Sequence, residues 1–277
     1  GFNIKILHLI FLCIFFIGFV SDISQLKSAK IRFFLQTVSI LLFVAYYDLA
    51  LSEVRVFFID YFIKYKLLSY FFTTFCLLIV LNGSNFIDGT NGNTLGHYII
   101  VTTSIFYLNY ENYINLNYEI LSLLIIFFII FIFNQLNFLY LGDNGAYLLG
   151  LLFGYVLIQL HQTNTLISPY YIILLVWYPC FENLFSIIRK FKTANSPLNP
   201  DNKHLHQQLY IFILKRIKKP LASNNLTSFM ILIYNSIILM LGTIFYKETK
   251  IQLFLIIINV TIYSFFYFQI IKVNKKT

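Results

Sequence analysis

The sequence predicts an all-α, polytopic membrane protein. Of its 277 residues, 59% are hydrophobic and only 11% charged, less than half the roughly 25% charge typical of soluble domains. The mean hydropathy is +0.76. Apolar residues come in long unbroken runs, not in the ten-residue alternation of a membrane β-barrel. A soluble globular enzyme is excluded, because a fold of this size needs far more charged surface.

With roughly 20 apolar residues per crossing, runs at about 4–20, 34–50, 67–82, 95–110, 118–134, 145–160, 166–185, 227–246 and 251–271 predict nine transmembrane helices. They form one integral membrane domain over 1–277, with no internal repeat. The run 95–110 is the most interrupted by polar residues. Cys13, Cys76 and Cys180 all sit inside apolar runs and read as buried side chains. The first residue is Gly, with no basic leader and small-residue cleavage site ahead of the first run. A truncated start is therefore expected.

Nine crossings place the loops at about 21–33, 82–94, 134–144 and 186–226, with the tail 272–277, on one side. That side carries fourteen of the twenty Lys and Arg residues, so the positive-inside rule makes it cytoplasmic. Loops 82–94 and 134–144 hold no Lys or Arg, yet each holds an Asp among Asn and Gly. Orientation does not require those acids. An ionisable group at membrane depth is a functional candidate by default, and Asp22, Asp88 and Asp143 converge on this face.

Asp22 closes the first run in Gly18-Phe-Val-Ser21-Asp22. The second loop reads Asn82-Gly-Ser-Asn85-Phe-Ile-Asp88-Gly-Thr-Asn91-Gly92, with polar residues at every third position and glycines between them that admit a ligand close to the backbone. Its carboxamide and carboxylate oxygens are hard donors suited to Mg²⁺; an Asn/Gly turn ending a helix is the competing reading. The third loop ends Tyr140-Leu-Gly142-Asp143-Asn-Gly145. Asp143 is either a helix N-cap or a ligand, and Tyr140 either an interface anchor or a stacking surface for a planar base. The longest polar stretch, 179–210, contains Glu182, Arg189, Lys190, Asp201, His204 and His206. Two histidines without a third N or S donor make a poor transition-metal site; among so many cations, phosphate contact fits better. Residues 207–219 read either as an amphipathic, basic helix suited to a lipid surface or as ordinary positive-inside charge.

In this order the four elements resemble those of the polyprenyl-phosphate N-acetylhexosamine-1-phosphate transferases, the WecA/MraY-like superfamily (glycosyltransferase family 4). Gly18–Asp22 is similar to its acidic early helix end, and Asn82–Gly92 to its Asn-x-x-Asn-x-x-Asp-Gly-x-Asn-Gly element. Gly142-Asp143-Asn-Gly145-Ala is similar to its Gly-Asp-x-Gly-Ser element, and Arg189–His206 to its loop ending in a Pro-Asp-x-x-His-x-His pattern. The stretches Glu182–Arg189 and His204–His206 look closer to the polysaccharide-initiating branch. The resemblance implies ten or eleven helices in a full-length protein, with about two N-terminal helices missing here. It also implies two adjacent acids where this chain has Ser21-Asp22.

The activity so implied is transfer of an N-acetylhexosamine 1-phosphate, GlcNAc-1-P in the first instance, from a UDP-sugar to undecaprenyl or another polyprenyl phosphate, releasing UMP and initiating a cell-envelope polysaccharide. It places the protein in the bacterial cytoplasmic membrane, active on the cytoplasmic face, without a nucleic-acid partner and with a homodimer as the candidate assembly. The implied roles are metal binding by Asp143 and Asn85 with Mg²⁺ as cofactor, and catalysis by Asp22, Asp88 and Asp143. Asn82, Asn91, Tyr140, Arg189, His204 and His206 are the implied substrate contacts. An inactive homologue serving as a lipid-binding scaffold is the alternative, since Ser21 removes one acid. A transporter is disfavoured, because its polar residues would lie at the midplane of two related halves.

Overall fold

The structure is a computed structural model that describes residues 4–26, 28–111, 114, 119–192 and 203–276. Asp201 and the segment 193–202 lie outside the described residues. Among the described residues twelve helices follow one another: α1 (Ile4–Asp22), α2 (Ala29–Tyr47), α3 (Phe57–Ile63), α4 (Lys66–Ile87), α5 (Asn93–Tyr110), α6 (Glu119–Gln135), α7 (Gly142–Thr163), α8 (Pro169–Leu175), α9 (Trp177–Lys192), α10 (Leu205–Ile217), α11 (Pro220–Ile244) and α12 (Thr249–Lys276).

The chain is a multi-pass membrane protein, all-helical among the described residues. Among the described residues, α2, α4, α7, α11 and α12 are long and apolar enough to cross a bilayer. The pair α8–α9, bent by 77° at Val176, makes a sixth if it counts as one span. Helices α1 and α6 contain shorter apolar stretches, His8–Asp22 and Ser122–Gln135. Five or six spans thus satisfy the length and hydropathy criterion, against the nine expected. The expected span 95–110 does form a helix, α5, but Asn93, Thr94, His97 and Thr102 on it are buried against protein. Outward-facing apolar side chains such as Phe254, Ile257 and Phe268, each 62% exposed, are what lipid contact requires.

The chain divides into two compact units. The first comprises Gly1–Asn85, Leu141–Thr165 and Asn183–Asn199. Its core joins Ile10, Ile14 and Ile17 of α1, Ile40, Phe43 and Val44 of α2, Leu77, Leu78 and Leu81 of α4, and Tyr147, Leu151 and Ile158 of α7. Helix α7 is gripped at two glycine contacts. A Cβ on Gly18 of α1 would collide with the Asn144 backbone, and one on Gly150 would lie 2.6 Å from Leu81 Cα and 2.8 Å from Ser84 Oγ. Close helix approach through small residues is how membrane helices gain packing energy. Because the Gly150 neighbour is backbone and cannot swing away, Gly150→Ala is expected to destabilise by about 1–3 kcal/mol. Thermal unfolding in detergent should show this as a lowered midpoint.

Helix α4 continues to Ile87, so Asn82 and Asn85 lie on its last turns, not in the loop expected at 82–94. Asn and Gly are poor helix formers, but here tertiary packing outweighs propensity. Asn82 Nδ2 donates to Leu78 O (3.0 Å) and to Gln36 Oε1 (3.2 Å), and Ser84 Oγ donates to Val80 O at 2.7 Å. Their spacing of three puts Asn82 and Asn85 on one helix face.

The second unit comprises Phe86–Tyr140, Leu166–Glu182 and Pro200–Thr277. Helix α11 starts with a proline in its first turn, where the missing N–H costs nothing. The α11–α12 hairpin is tied by Gln252 Nε2, which donates to Gly242 O and Phe245 O at 2.7 and 2.8 Å. The amphipathic helix expected over 207–219 forms as α10, with Lys215 and Arg216 in its last turn, favourably placed for the helix dipole.

Candidate active site

Asp143 occupies the first turn of α7, yet its carboxylate does not cap that helix. Oδ1 accepts from Asn85 Nδ2 at 2.6 Å, and Oδ2 accepts from Ser21 Oγ at 2.6 Å and from Arg32 at 3.1 Å. Arg32 also donates to Ser21 Oγ. Three helices therefore deliver one polar cluster in the first unit: Ser21 at the end of α1, Arg32 in the first turn of α2, and Asn85 near the end of α4. Asp143 and Arg32 are 27% and 28% exposed, so the pair remains open to a ligand while solvent screens only part of its attraction.

The capping role falls to Asp22. Its Oδ1 accepts from the Asp143 backbone N–H at 2.9 Å, and its Oδ2 from the Asn144 N–H at 3.3 Å. A carboxylate at a helix N-terminus satisfies orphan donors and complements the dipole. Because a helix end needs its acceptor at the backbone, Asp22 leaves the Asp143 side chain to turn towards Asn85 and Ser21. Gly142 makes the approach possible: its φ is +68°, and a Cβ there would lie 2.8 Å from Asp22 Oδ2. Asp22 is exposed, and in this arrangement it positions Asp143.

In the second unit, Glu182 is fully buried. It accepts from Tyr263 Oη at 2.7 Å and pairs with His204 Nδ1 at 2.9 Å. His204 caps α10 through a capping box with Gln207, and its ring stacks on His206 with centroids 5.8 Å apart and planes at 8°. A Cβ on Gly89 would collide with His206 Nε2, so the glycine after Asp88 admits the imidazole. Burial pushes the His206 imidazole down to about 4, the nearby Glu182 carboxylate opposing this and His204 reinforcing it. With a folded value below the ordinary 6.5, His206 contributes stability that is full above pH 6.5 and is lost as the pH falls through 6.5 towards about 4. Thermal unfolding over that window is expected to show a smaller acid loss in His206→Phe than in the parent.

Asn91 belongs to an amide network in the same unit. Its backbone N–H donates to Asn224 Oδ1 at 2.7 Å, its Nδ2 to Asn137 Oδ1 at 3.2 Å, and its carbonyl accepts from Gln135 Nε2 at 2.8 Å. Gly92, at φ +74°, donates to Asn134 Oδ1. The turn after α4 is thereby fixed at every polar atom named. Asp88 is half-buried just past the end of α4. Tyr140 is 71% exposed, open to a planar partner.

Of the residues expected from the sequence, Asp22, Asn85 and Asp143 come together in the first unit. Asn82 lies one turn away and is bonded to Gln36. Arg189 donates to Ser186 Oγ at 3.2 Å. His204 and His206 are neighbours in the second unit, which also holds Asp88, Asn91 and Tyr140. Sequence reasoning counted Arg32 only as orienting charge and gave Glu182 no role of its own. A carboxylate inside an apolar helix was the signal that could have marked Glu182; for Arg32 no local signal exists.

Among the described residues no group of three or more His, Cys, Asp or Glu side chains could hold a metal. The Asp143 cluster nevertheless fits a hard cation in its donor chemistry. Its carboxylate, the Ser21 hydroxyl and the Asn85 carboxamide all carry oxygen donors, and Arg32 already shares one carboxylate oxygen.

Residues 4–161, more than half of the chain, match the sequence profile of glycosyl transferase family 4. The chain is 27% identical over 203 residues to a probable undecaprenyl-phosphate N-acetylglucosaminyl 1-phosphate transferase of Bacillus subtilis (strain 168), covering 71% of this chain and 55% of the relative. It is 29% identical over 83 residues to a decaprenyl-phosphate N-acetylglucosaminephosphotransferase of Mycolicibacterium smegmatis, covering 26% of this chain and 20% of that relative. The chain thus spans about half the length, or less, of these curated relatives. The profile match takes in α1, α2, α4 and nearly all of α7, the helices that assemble the Asp143 cluster, and the chain belongs to glycosyl transferase family 4.

Proposed function

We propose that this protein transfers an N-acetylhexosamine 1-phosphate from a UDP-sugar to a polyprenyl phosphate at the cytoplasmic face of a bacterial cytoplasmic membrane, releasing UMP and initiating a cell-envelope polysaccharide. One observation carries this reading furthest. The first-turn carboxylate of α7 is turned away from its own helix end and held by Asn85, Ser21 and Arg32, while Asp22 takes over the cap. A first-turn aspartate past the cap position can serve the helix dipole from solvent alone; here its two oxygens instead gather donors from three other helices. The names of the two relatives support a transfer of N-acetylglucosamine phosphate to a polyprenyl phosphate.

In the proposed reaction a phosphate oxygen of the lipid attacks the phosphorus that bears the sugar. The pyrophosphate P–O bond breaks, and UMP leaves with the electron pair. The lipid phosphate is already largely ionised at neutral pH, so no proton need be removed, and Ser21 in place of an acid is tolerable. Both substrates are anions, and catalysis consists mainly of positioning and charge stabilisation. A Mg²⁺ held by Asp143 and Asn85 would supply neutralising charge between them.

The remaining roles fall to side chains of this chain. Arg32 presents a guanidinium, whose planar fork suits phosphate oxygens, and Asp22 keeps the α7 N-terminus in place. Asp88 orients the nucleotide, with Asn91 donating to the uracil and Tyr140 stacking on it. Asn82 supports the Asn85 face of α4. Arg189, His204 and His206 hold donor phosphates or sugar, the Glu182 carboxylate fixing the orientation of His204. The deciding experiment measures UMP release in membranes bearing the full-length protein, with UDP-GlcNAc and undecaprenyl phosphate, with and without Mg²⁺ chelation. Chelator-sensitive release is expected; absence of release with every UDP-hexosamine tried would sink the reading.

Ser21 supports a second reading, an inactive homologue that binds lipid or scaffolds an assembly. That reading expects no turnover in the parent and gained turnover in Ser21→Asp.

A further inference from the structure

Helix α3 turns its aromatic side outwards. Phe57, Phe58, Tyr61 and Phe62, with Tyr65 just beyond the helix end, fall on one face by helical spacing. All five are exposed, Phe57 and Phe58 at 90% and 70%. The other side holds Ile59, Asp60 and the buried Ile63. Hydrogen bonds fix the segment that carries this stripe. Asp48 pairs with Lys66 at 2.9 Å and accepts from Tyr70 Oη at 2.7 Å, which brings the end of α2 to the start of α4. Ser69 Oγ donates to Leu51 O at 2.7 Å, and the Leu51 N–H donates to Thr73 Oγ1 at 3.1 Å. Asp60 Oδ1 accepts from the Val54 N–H at 2.7 Å.

Helices α2 and α4 are both long and apolar enough to span a bilayer. The segment joining them therefore stays at one membrane surface, opposite the helix ends that carry Arg32 and Asn85. Five outward aromatic rings side by side are unfavourable in water. A seven-residue helix, about 10 Å long, is too small for a stable contact with a second copy, which buries about 1,200–2,000 Å². The outward apolar face of α4, with exposed Leu67, Phe71 and Phe75, follows directly after Tyr65, so the stripe runs on into a surface that faces acyl chains. Charge agrees with a lipid partner. Glu53 pairs with Arg55 at 3.2 Å, Asp48 with Lys66, and Asp60 serves the backbone, while Lys64 is exposed and suits lipid phosphate.

We propose that α3 is an interfacial anchor, its aromatic stripe seated in the headgroup region of the leaflet opposite the Asp143 cluster. Amphipathic aromatic rings favour that depth. Such an anchor sets the depth of α2 and α4 in the bilayer. The inference does not rest on the proposed transfer.

Tryptophan fluorescence in vesicles tests it. Trp177 is the sole tryptophan in the sequence, so its emission in the parent is the baseline, and the added emission of each variant is read as a difference. The full chain carrying Phe58→Trp or Tyr61→Trp would be reconstituted in phospholipids brominated either close to the ester or near the chain end. Both replacements are aromatic for aromatic at exposed positions, so folding is preserved. Phe75→Trp, about 14 Å along α4 from Lys66, is the depth reference. The added emission of Phe58→Trp and Tyr61→Trp should be blue-shifted from that of indole in water and quenched more strongly by the ester-proximal bromines. Phe75→Trp should show the reverse order.

Water-like emission without quenching at positions 58 and 61 would overturn the proposal in favour of a solvated loop. Blue-shifted emission that neither bromine position quenches would overturn it in favour of a protein partner. Stronger quenching by chain-end bromines would place α3 inside the hydrocarbon core and overturn the interfacial assignment. None of these readouts needs turnover, so failure here and failure of the proposed transferase activity remain distinguishable.

Discussion

Asp143→Asn is expected to reduce Mg²⁺-dependent UMP release by about 10³-fold, equivalent to about 4 kcal/mol at 1.36 kcal/mol per decade. The substitution keeps the shape and removes the charge. With the amide oxygen in the Oδ1 place, Asn85 can still donate to it and Ser21 Oγ can accept from the new Nδ2, but Arg32 loses its counter-charge and its acceptor, and a hard cation loses its anionic ligand. Preorganised groups that face charge in the transition state are worth about 10²–10³-fold each, and Asp143 serves both cation and guanidinium. The substitution does not disturb the Asp22 contacts, because those run to backbone N–H groups. Helix α7 should therefore stay capped and the thermal midpoint should move little. Turnover of Asp143→Asn within a factor of a few of the parent would remove Asp143 from the reaction.

Arg32→Gln is expected to lower turnover by about 10²-fold, whereas Ser21→Ala should cost roughly 10-fold. The difference follows from charge. Removing Arg32 leaves the Asp143 carboxylate without its cation, and an anionic donor must then approach an uncompensated negative site. Removing the Ser21 hydroxyl deletes one donor to a charged acceptor, worth about 1.5–3 kcal/mol at most, and Arg32 can still reach Asp143 directly. Arg32→Lys should restore part of the loss, since it keeps the charge without the planar fork. Steady-state kinetics checks this. If Arg32 binds donor phosphates, Arg32→Gln raises KM for the UDP-sugar as well as lowering kcat; equal losses in both variants would make Ser21 and Arg32 one structural unit.

Much of the fold was open to reading from composition and periodicity, because both report local physics. Runs of apolar residues must bury their backbone polar groups in helices within lipid, and α2, α4, α7, α11 and α12 follow from that rule. The count of crossings was less legible. Helix α5 carries polar residues that packing against protein buries, and α8–α9 bends by 77° at Val176, one turn before Pro179, whose ring clashes with the carbonyl of Leu175 four residues back. The loop expected at 82–94 failed for a related reason: Asn82 and Ser84 hydrogen-bond back to the preceding turn, and Gly150 packs where only a glycine fits, so α4 runs on to Ile87.

The sequence by itself determined that this protein is helical, membrane-embedded and polar at its helix ends, and it singled out Asp22, Asn85 and Asp143 as candidates. Only the tertiary structure decided what each of them does. The N–H groups at the start of α7 are served by Asp22, which lies 121 residues away along the chain. The value of Arg32 depends on its reaching Asp143 across 111 residues. A carboxylate can cap, pair or coordinate with equal chemical aptitude. Nearby sequence does not rank those options, because the hydrogen-bond donors that choose among them arrive from other helices.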